Sequence, residues 1–158
     1  MTDAPVTPTE LTAAIVAVRD RLVADGRYDG FAAINAGYCG DFADDVQDFL
    51  GRSPVCAEPY QVGVEGFMES EDDEPTVMDR ALLAEHWPDV VPPQGLDWDD
   101  VDALAARASF SCGTHTWLCL AGRHYDAEAP DGVDNFFDLP FFSRIVASWV
   151  EDSAPQPR

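Results

Sequence analysis

The chain contains no lysine. All nine basic residues are arginines, set against 30 Asp and Glu, for a formal net charge of −21 over 158 residues. Such a charge argues against direct binding to nucleic-acid phosphate or an anionic bilayer, because both are polyanions. Two readings of the acidity remain. One is adaptation to a salty interior, where screening removes the self-repulsion. The other is a basic protein partner, in the limit a nucleic-acid mimic that fills the partner's groove. A mimic needs acids but has no reason to exclude lysine, so the missing lysine favours the halophilic reading or a GC-rich genome. A run of about 20 apolar residues is also missing, so no membrane-spanning helix is expected. The first residues show no basic start followed by an apolar stretch, which leads to the expectation of a cytoplasmic protein without a secretory leader. There the four cysteines, Cys39, Cys56, Cys112 and Cys119, stay reduced. They lack the CxxC pairs of a zinc ribbon. Neither a glycine-rich phosphate loop nor a G-x-S-x-G elbow occurs.

What is present suits a folded α+β protein. The 46% hydrophobic content is too high for disorder, and the length predicts a single domain over 1–158 with flexible tails at 1–8 and 152–158. Thr7-Pro8-Thr9-Glu10 reads as a capping box with proline at the first helical position. Leu11, Ile15, Val18 and Leu22 follow at helical spacing, and the helix should stop near Gly26. A second helix is predicted from Cys39 to Leu50, with Phe42, Val46, Phe49 and Leu50 as its apolar stripe and Gly51 beyond its end. Val55, Tyr60, Val62 and Val64 are possible strand positions. Two shorter helices are expected, one from Thr76 to about Glu85 and one opening at Asp97. THTWLCLAGRHYDAE is the clearest β signal, two strands meeting at Ala121-Gly122. The segment from Asp138 reads as a helix capped by that residue, packed by Phe141, Phe142, Ile145, Val146 and Trp149.

Chemistry concentrates on two of these segments. Cys39 opens a helix, where free N–H groups and the helix dipole stabilise a thiolate and can hold an oxyanion. A two-residue loop at Ala121-Gly122 places Cys119 opposite His124 and Trp117 opposite Asp126. His115, Trp117 and Cys119 then share a face with His124 and Asp126. His115 and Asp126 become diagonal neighbours, roughly 7–8 Å apart at the backbone. A carboxylate there holds an imidazole tautomer and stabilises imidazolium, and the imidazole serves as base to a thiol. Each residue alone has a plain structural reading: a buried cysteine, a polar strand end, a turn or cap residue. Cys112-x-x-His115 is also half of a zinc site that Cys39 or Cys119 could complete.

GYCGDFADDVQDFLG (37–51) resembles the nucleophile segment of transglutaminase-like proteins, where a Gly-x-Cys opens the central helix. THTWLCLAGRHYDAEAPDG (114–132) resembles the family's second segment, a His before an aromatic on one strand and a Tyr-Asp on the next. The resemblance covers about a third of the chain and is strongest in these two blocks, which make up about a fifth of it. It implies a papain-like/transglutaminase-like fold in which the helix carrying the cysteine packs on an antiparallel sheet. It further implies Cys39 as nucleophile, His115 as general base and acid, and Asp126 as orienting carboxylate. The expected chemistry is thiol-dependent acyl transfer or hydrolysis on a peptide, protein or other amide substrate, for which no cofactor or metal is needed. Papain-like enzymes place a Gln ahead of the Cys as second oxyanion donor; none stands there, and Asn35, Tyr38 and Trp117 are the candidates for the oxyanion or cleft. The alternative is a non-catalytic acidic binding or inhibitor protein on the same fold.

Overall fold

The computed structural model describes residues 6–51, 61–63, 88–89, 91, 94, 115–144 and 147. Helix α1 spans Pro8–Ala24, α2 Phe31–Gly37 and α3 Cys39–Leu50, followed by strands β1 (Gln61–Gly63), β2 (Thr116–Leu120) and β3 (Arg123–Tyr125). The strands form one antiparallel sheet in the order β1-β2-β3. The protein is therefore a small α+β structure.

Helix α1 begins as its sequence requires. The Thr7 side chain accepts from the Glu10 N–H, and the Glu10 carboxylate accepts in return from the Thr7 N–H. Val6 is buried, so residues 6–8 belong to the folded body. Leu11, Ile15, Val18 and Leu22 are all buried with Ala14, each contributing about 1.5–3 kcal/mol by leaving water. They meet Ile34 of α2, Phe42 and Val46 of α3, Leu118, Leu120 and Tyr125 from the sheet, and Ala127 just beyond it. Phe49, expected on the stripe of α3, is 56% exposed, whereas Gln47 is buried. Helix α3 ends at Gly51, whose φ of 61° is left-handed.

The hairpin has the expected register. Cys119 pairs with His124 and Leu118 with Tyr125, around a two-residue loop in which Ala121 (φ 52°) and Gly122 (φ 77°) both take positive φ. That is the turn whose twist suits a two-residue hairpin. Both faces of the hairpin are covered. Leu118, Leu120 and Tyr125 face the helices. Trp117 and His124 meet Phe136, and Trp117 also meets Phe142.

These phenylalanines come from a segment that departs from expectation. Asp138 does not cap a helix. Phe136–Asp138 is a 3-10 turn whose cap is Asn135, the Asn135 side chain accepting from the Phe137 N–H, and helical residues resume at 140–144. The predicted helices at 76–85 and from Asp97, the strand positions Val55, Tyr60 and Val64, the cysteines Cys56 and Cys112, and Ile145, Val146 and Trp149 lie outside the described residues. Among the described residues no helix is long and apolar enough to cross a membrane.

Candidate functional site

Cys39 is the first residue of α3. Tyr38 is at once the end of α2 and the cap of α3, with φ −135° and ψ 14°, so the chain turns sharply where the thiol emerges. The helix packs on β2, and the N–H of Thr116 donates to Cys39 Sγ at 3.4 Å. His115 immediately precedes β2 and Asp126 immediately follows β3. Their side chains converge as the hairpin register demands: His115 Nε2 lies 3.1 Å from Asp126 Oδ2, and the two side chains are 0% and 1% exposed.

That contact assigns the tautomer. A carboxylate accepts, so Nε2 carries the proton and Nδ1 of the neutral ring is left with its lone pair. Nδ1 is buried and makes no well-formed hydrogen bond among the described residues; it is the nitrogen left to serve the thiol. Burial pushes the Cys39 thiol up, but the interaction with His115 and the N–H groups of Thr116 and Gly40 outweigh it, and the net direction is down. Burial pushes His115 down, but Asp126 and Cys39 more than offset it, and its pKa is raised. Both shifts run in the direction that eases proton transfer from the thiol to the imidazole. Phe141 stacks on the His115 ring at 4.2 Å, with Phe142 edge-on at 5.5 Å; an aromatic face favours the charged ring. Asp41 is exposed, and its field acts on Tyr38.

Asp126 also does what its structural reading required. Its Oδ1 accepts from the N–H groups of Glu128 and Ala129, both at 2.9 Å. The turn and the histidine are served by different oxygens of one carboxylate.

Neither a protein-family model, nor a curated protein, nor a solved structure matches this chain. What the site can do is read from its atoms.

The remaining candidates fall differently. Asn35 is buried, with Nδ2 donating to Glu128 Oε2 at 2.8 Å and Oδ1 accepting from the Ala127 N–H at 3.4 Å. Its amide is engaged at both ends, so it braces the Asp126 turn and is not a ready oxyanion donor. Trp117 is buried and donates its indole N–H to His124 Nδ1 at 2.9 Å. It backs the site from inside the aromatic cluster and does not wall an open cleft. Tyr38 is half-buried beside the thiol in sequence, its ring 5.3 Å from that of Tyr28 and its hydroxyl 3.5 Å from Asp45. His124 is buried, and burial pushes its pKa down to about 4; it accepts from Trp117 and is a neutral structural histidine. Among the described residues no group of three or more His, Cys, Asp or Glu is placed to hold a metal, and Cys112 of the half zinc motif is not among them.

Sequence reasoning missed the Thr116 N–H and Phe141. A backbone donor leaves no trace in composition, and Phe141 reads as ordinary packing. The bond from Asp126 to the N–H groups two and three residues on was legible in DAEA as an Asx-type turn.

Proposed function

We propose that this protein carries out thiol-mediated acyl chemistry on an amide substrate at Cys39, His115 and Asp126, on a papain-like/transglutaminase-like framework. The observation that carries the proposal is the buried His115–Asp126 pair set against a half-buried thiol. A buried ionisable pair is weak evidence of stability, since well-packed apolar groups serve as well or better. Perturbed, coupled groups meeting a nucleophile are what a catalytic site requires.

The steps follow from the tautomer. The thiol proton passes to Nδ1, giving thiolate and imidazolium. Sulfur attacks the carbonyl carbon, forming the C–S bond as the carbonyl electron pair moves to oxygen. The N–H groups of Thr116 and Gly40, which act on the thiolate, are donors at the reacting atoms. Collapse breaks the C–N bond, and Nδ1–H protonates the leaving amine. Water or an amine then attacks the thioester, gives its proton to Nδ1 and expels the thiolate. Asp126 holds Nε2–H through each of these steps.

The test uses an activated acyl ester, for which chemistry at the thiol is visible without knowing the natural amide. Wild-type protein should form an acyl adduct on Cys39, trapped by acid quench and located by peptide mass spectrometry, and Cys39→Ala should abolish it. Added primary amines speed adduct loss if transfer operates, and leave it unchanged if hydrolysis does. Wild-type protein that stays unacylated, or an adduct that survives Cys39→Ala, would sink the proposal.

A further inference from the structure

We infer that Glu128 and Arg144 are positioning residues for the Asp126 carboxylate, forming a clamp that reaches from the surface to the site. The inference rests on the triad reading above.

Asp126 lies one residue past the end of β3, so the strand ladder does not hold it. Its Oδ2 reaches His115 only while Oδ1 is seated on the N–H groups of Glu128 and Ala129. The aim of the carboxylate is thus the aim of the 126–129 turn. That turn is fastened from three directions. From α1, Arg19 Nη1 donates to the Ala127 carbonyl at 2.9 Å and the Thr12 hydroxyl to the Pro130 carbonyl at 2.8 Å. From α2, Asn35 takes the Ala127 N–H and donates to Glu128. From the helical residues at 140–144, Arg144 grips the Glu128 carboxylate with both terminal nitrogens, at 2.8 and 2.7 Å.

Glu128 is the hub. Its N–H holds Asp126, and its carboxylate collects three donors from two elements. The Glu128 side chain is 15% exposed and that of Arg144 is 51% exposed. A planar fork on a carboxylate fixes direction as well as distance. Without Arg144, a mostly buried carboxylate loses two charge-assisted bonds and turns toward water, taking its own backbone N–H with it.

Positioning and simple charge separate in the variant that keeps the charge. Removing the Arg144 cation leaves Glu128 uncompensated near the site, a field that favours imidazolium but opposes thiolate, whereas lysine at 144 keeps the field and loses only the fork. Loss of position weakens the His115–Asp126 contact and disfavours both. The test is the iodoacetamide labelling rate of Cys39 against pH in full-length Arg144→Met, Arg144→Lys and Asp126→Asn, each confirmed folded by near-UV circular dichroism. Arg144→Met should label about two- to fivefold more slowly near pH 6.5, the scale of an exposed-edge ion pair, and at the wild-type rate near pH 10, where the thiol is ionised regardless. Arg144→Lys, keeping the charge but not the fork, should fall between, and it carries the test alone if Arg144→Met does not fold. Arg144 variants that label as fast as wild type or faster near pH 6.5, while Asp126→Asn is slowed, would overturn the clamp and leave the triad standing. An unaffected Asp126→Asn would remove both.

Discussion

Asparagine at position 126 separates the two tasks of the native carboxylate. The turn orients the new amide: its oxygen must face the Glu128 and Ala129 N–H groups, because the NH2 group in that place would set donor against donor. The NH2 group then faces His115 Nε2, which must accept, and the ring proton is driven to Nδ1. The neutral imidazole now presents a proton where the thiol needs a lone pair, and the imidazolium loses its counter-charge. A hydrogen bond to a charged group is worth about 1.5–3 kcal/mol, so the thiolate–imidazolium population falls roughly 10- to 100-fold at about 1.4 kcal/mol per tenfold. A less acidic thiol is a better nucleophile once ionised, which returns a little under half of that loss on a logarithmic scale. Iodoacetamide should therefore label Cys39 about 3- to 10-fold more slowly near pH 6.5 and no more slowly near pH 10. The His115 pKa, followed by NMR, should move down from its raised native position. Stability should change by less than about 1 kcal/mol, since asparagine keeps the turn bonds. An unchanged titration together with an unchanged labelling profile would refute the reasoning.

Four further outcomes are expected. Gly132→Ala puts a Cβ 2.6 Å from the buried Tyr125 ring at a φ of +74°, and urea denaturation should show a loss of about 2–4 kcal/mol from backbone strain and overpacking together. Ala121→Asn suits the positive φ of 52° at the hairpin turn and should raise the urea midpoint, by about 0.5–1 kcal/mol in stability. His124, pushed down to about 4 from 6.5, leaves the unfolded chain binding the extra proton between those values; its contribution is complete above pH 6.5 and falls by about 3 kcal/mol on acidification. His115 acts in the opposite sense, its contribution being present at low pH and lost as pH rises through its raised pKa. His124→Asn, which keeps an acceptor for Trp117, should flatten the acid limb of the stability curve measured by urea, and an unchanged limb would remove His124 as its source. With a net charge of −21, the melting temperature should rise from dilute buffer to molar KCl; a flat or falling curve would count against the halophilic reading.

How much was legible varies with the range of the interaction that decides each element. Helix α1 and its cap were readable because Thr7, Pro8 and Glu10 determine the start within one turn. The hairpin register was readable because a two-residue loop leaves one parity, and that parity brought His115 and Asp126 together. Helix α2 was not foreseen: it has seven residues, a glycine at its cap and no side-chain cap bond, so little local signal marks it. Asp138 was misread because the chain is already in a 3-10 turn there, capped by Asn135 three residues earlier, and helical residues begin only at 140. Trp117 was assigned to a cleft because it shares a face with His115. That face is roofed by Phe136 and Phe142, a long-range packing event that no local pattern encodes. Asp126 offered a choice between turn residue and orienting carboxylate; a carboxylate has two oxygens, and here one meets the turn N–H groups while the other meets His115 Nε2.

The complete burial of the His115 ring has a consequence for proton traffic. Roofed by Phe141 and flanked by Trp117, the imidazole has no direct exchange with bulk water. Every proton it takes or gives crosses at Nδ1, on the side of the half-buried sulfur. Under the proposed acyl chemistry the site then behaves as a closed proton store with a single gate: until the C–N bond breaks, the imidazolium formed in the first step can discharge only to the departing amine. Under the same proposal, water that hydrolyses the acyl group must give its proton to that one nitrogen, so the amine has to take its proton and leave before water can be activated.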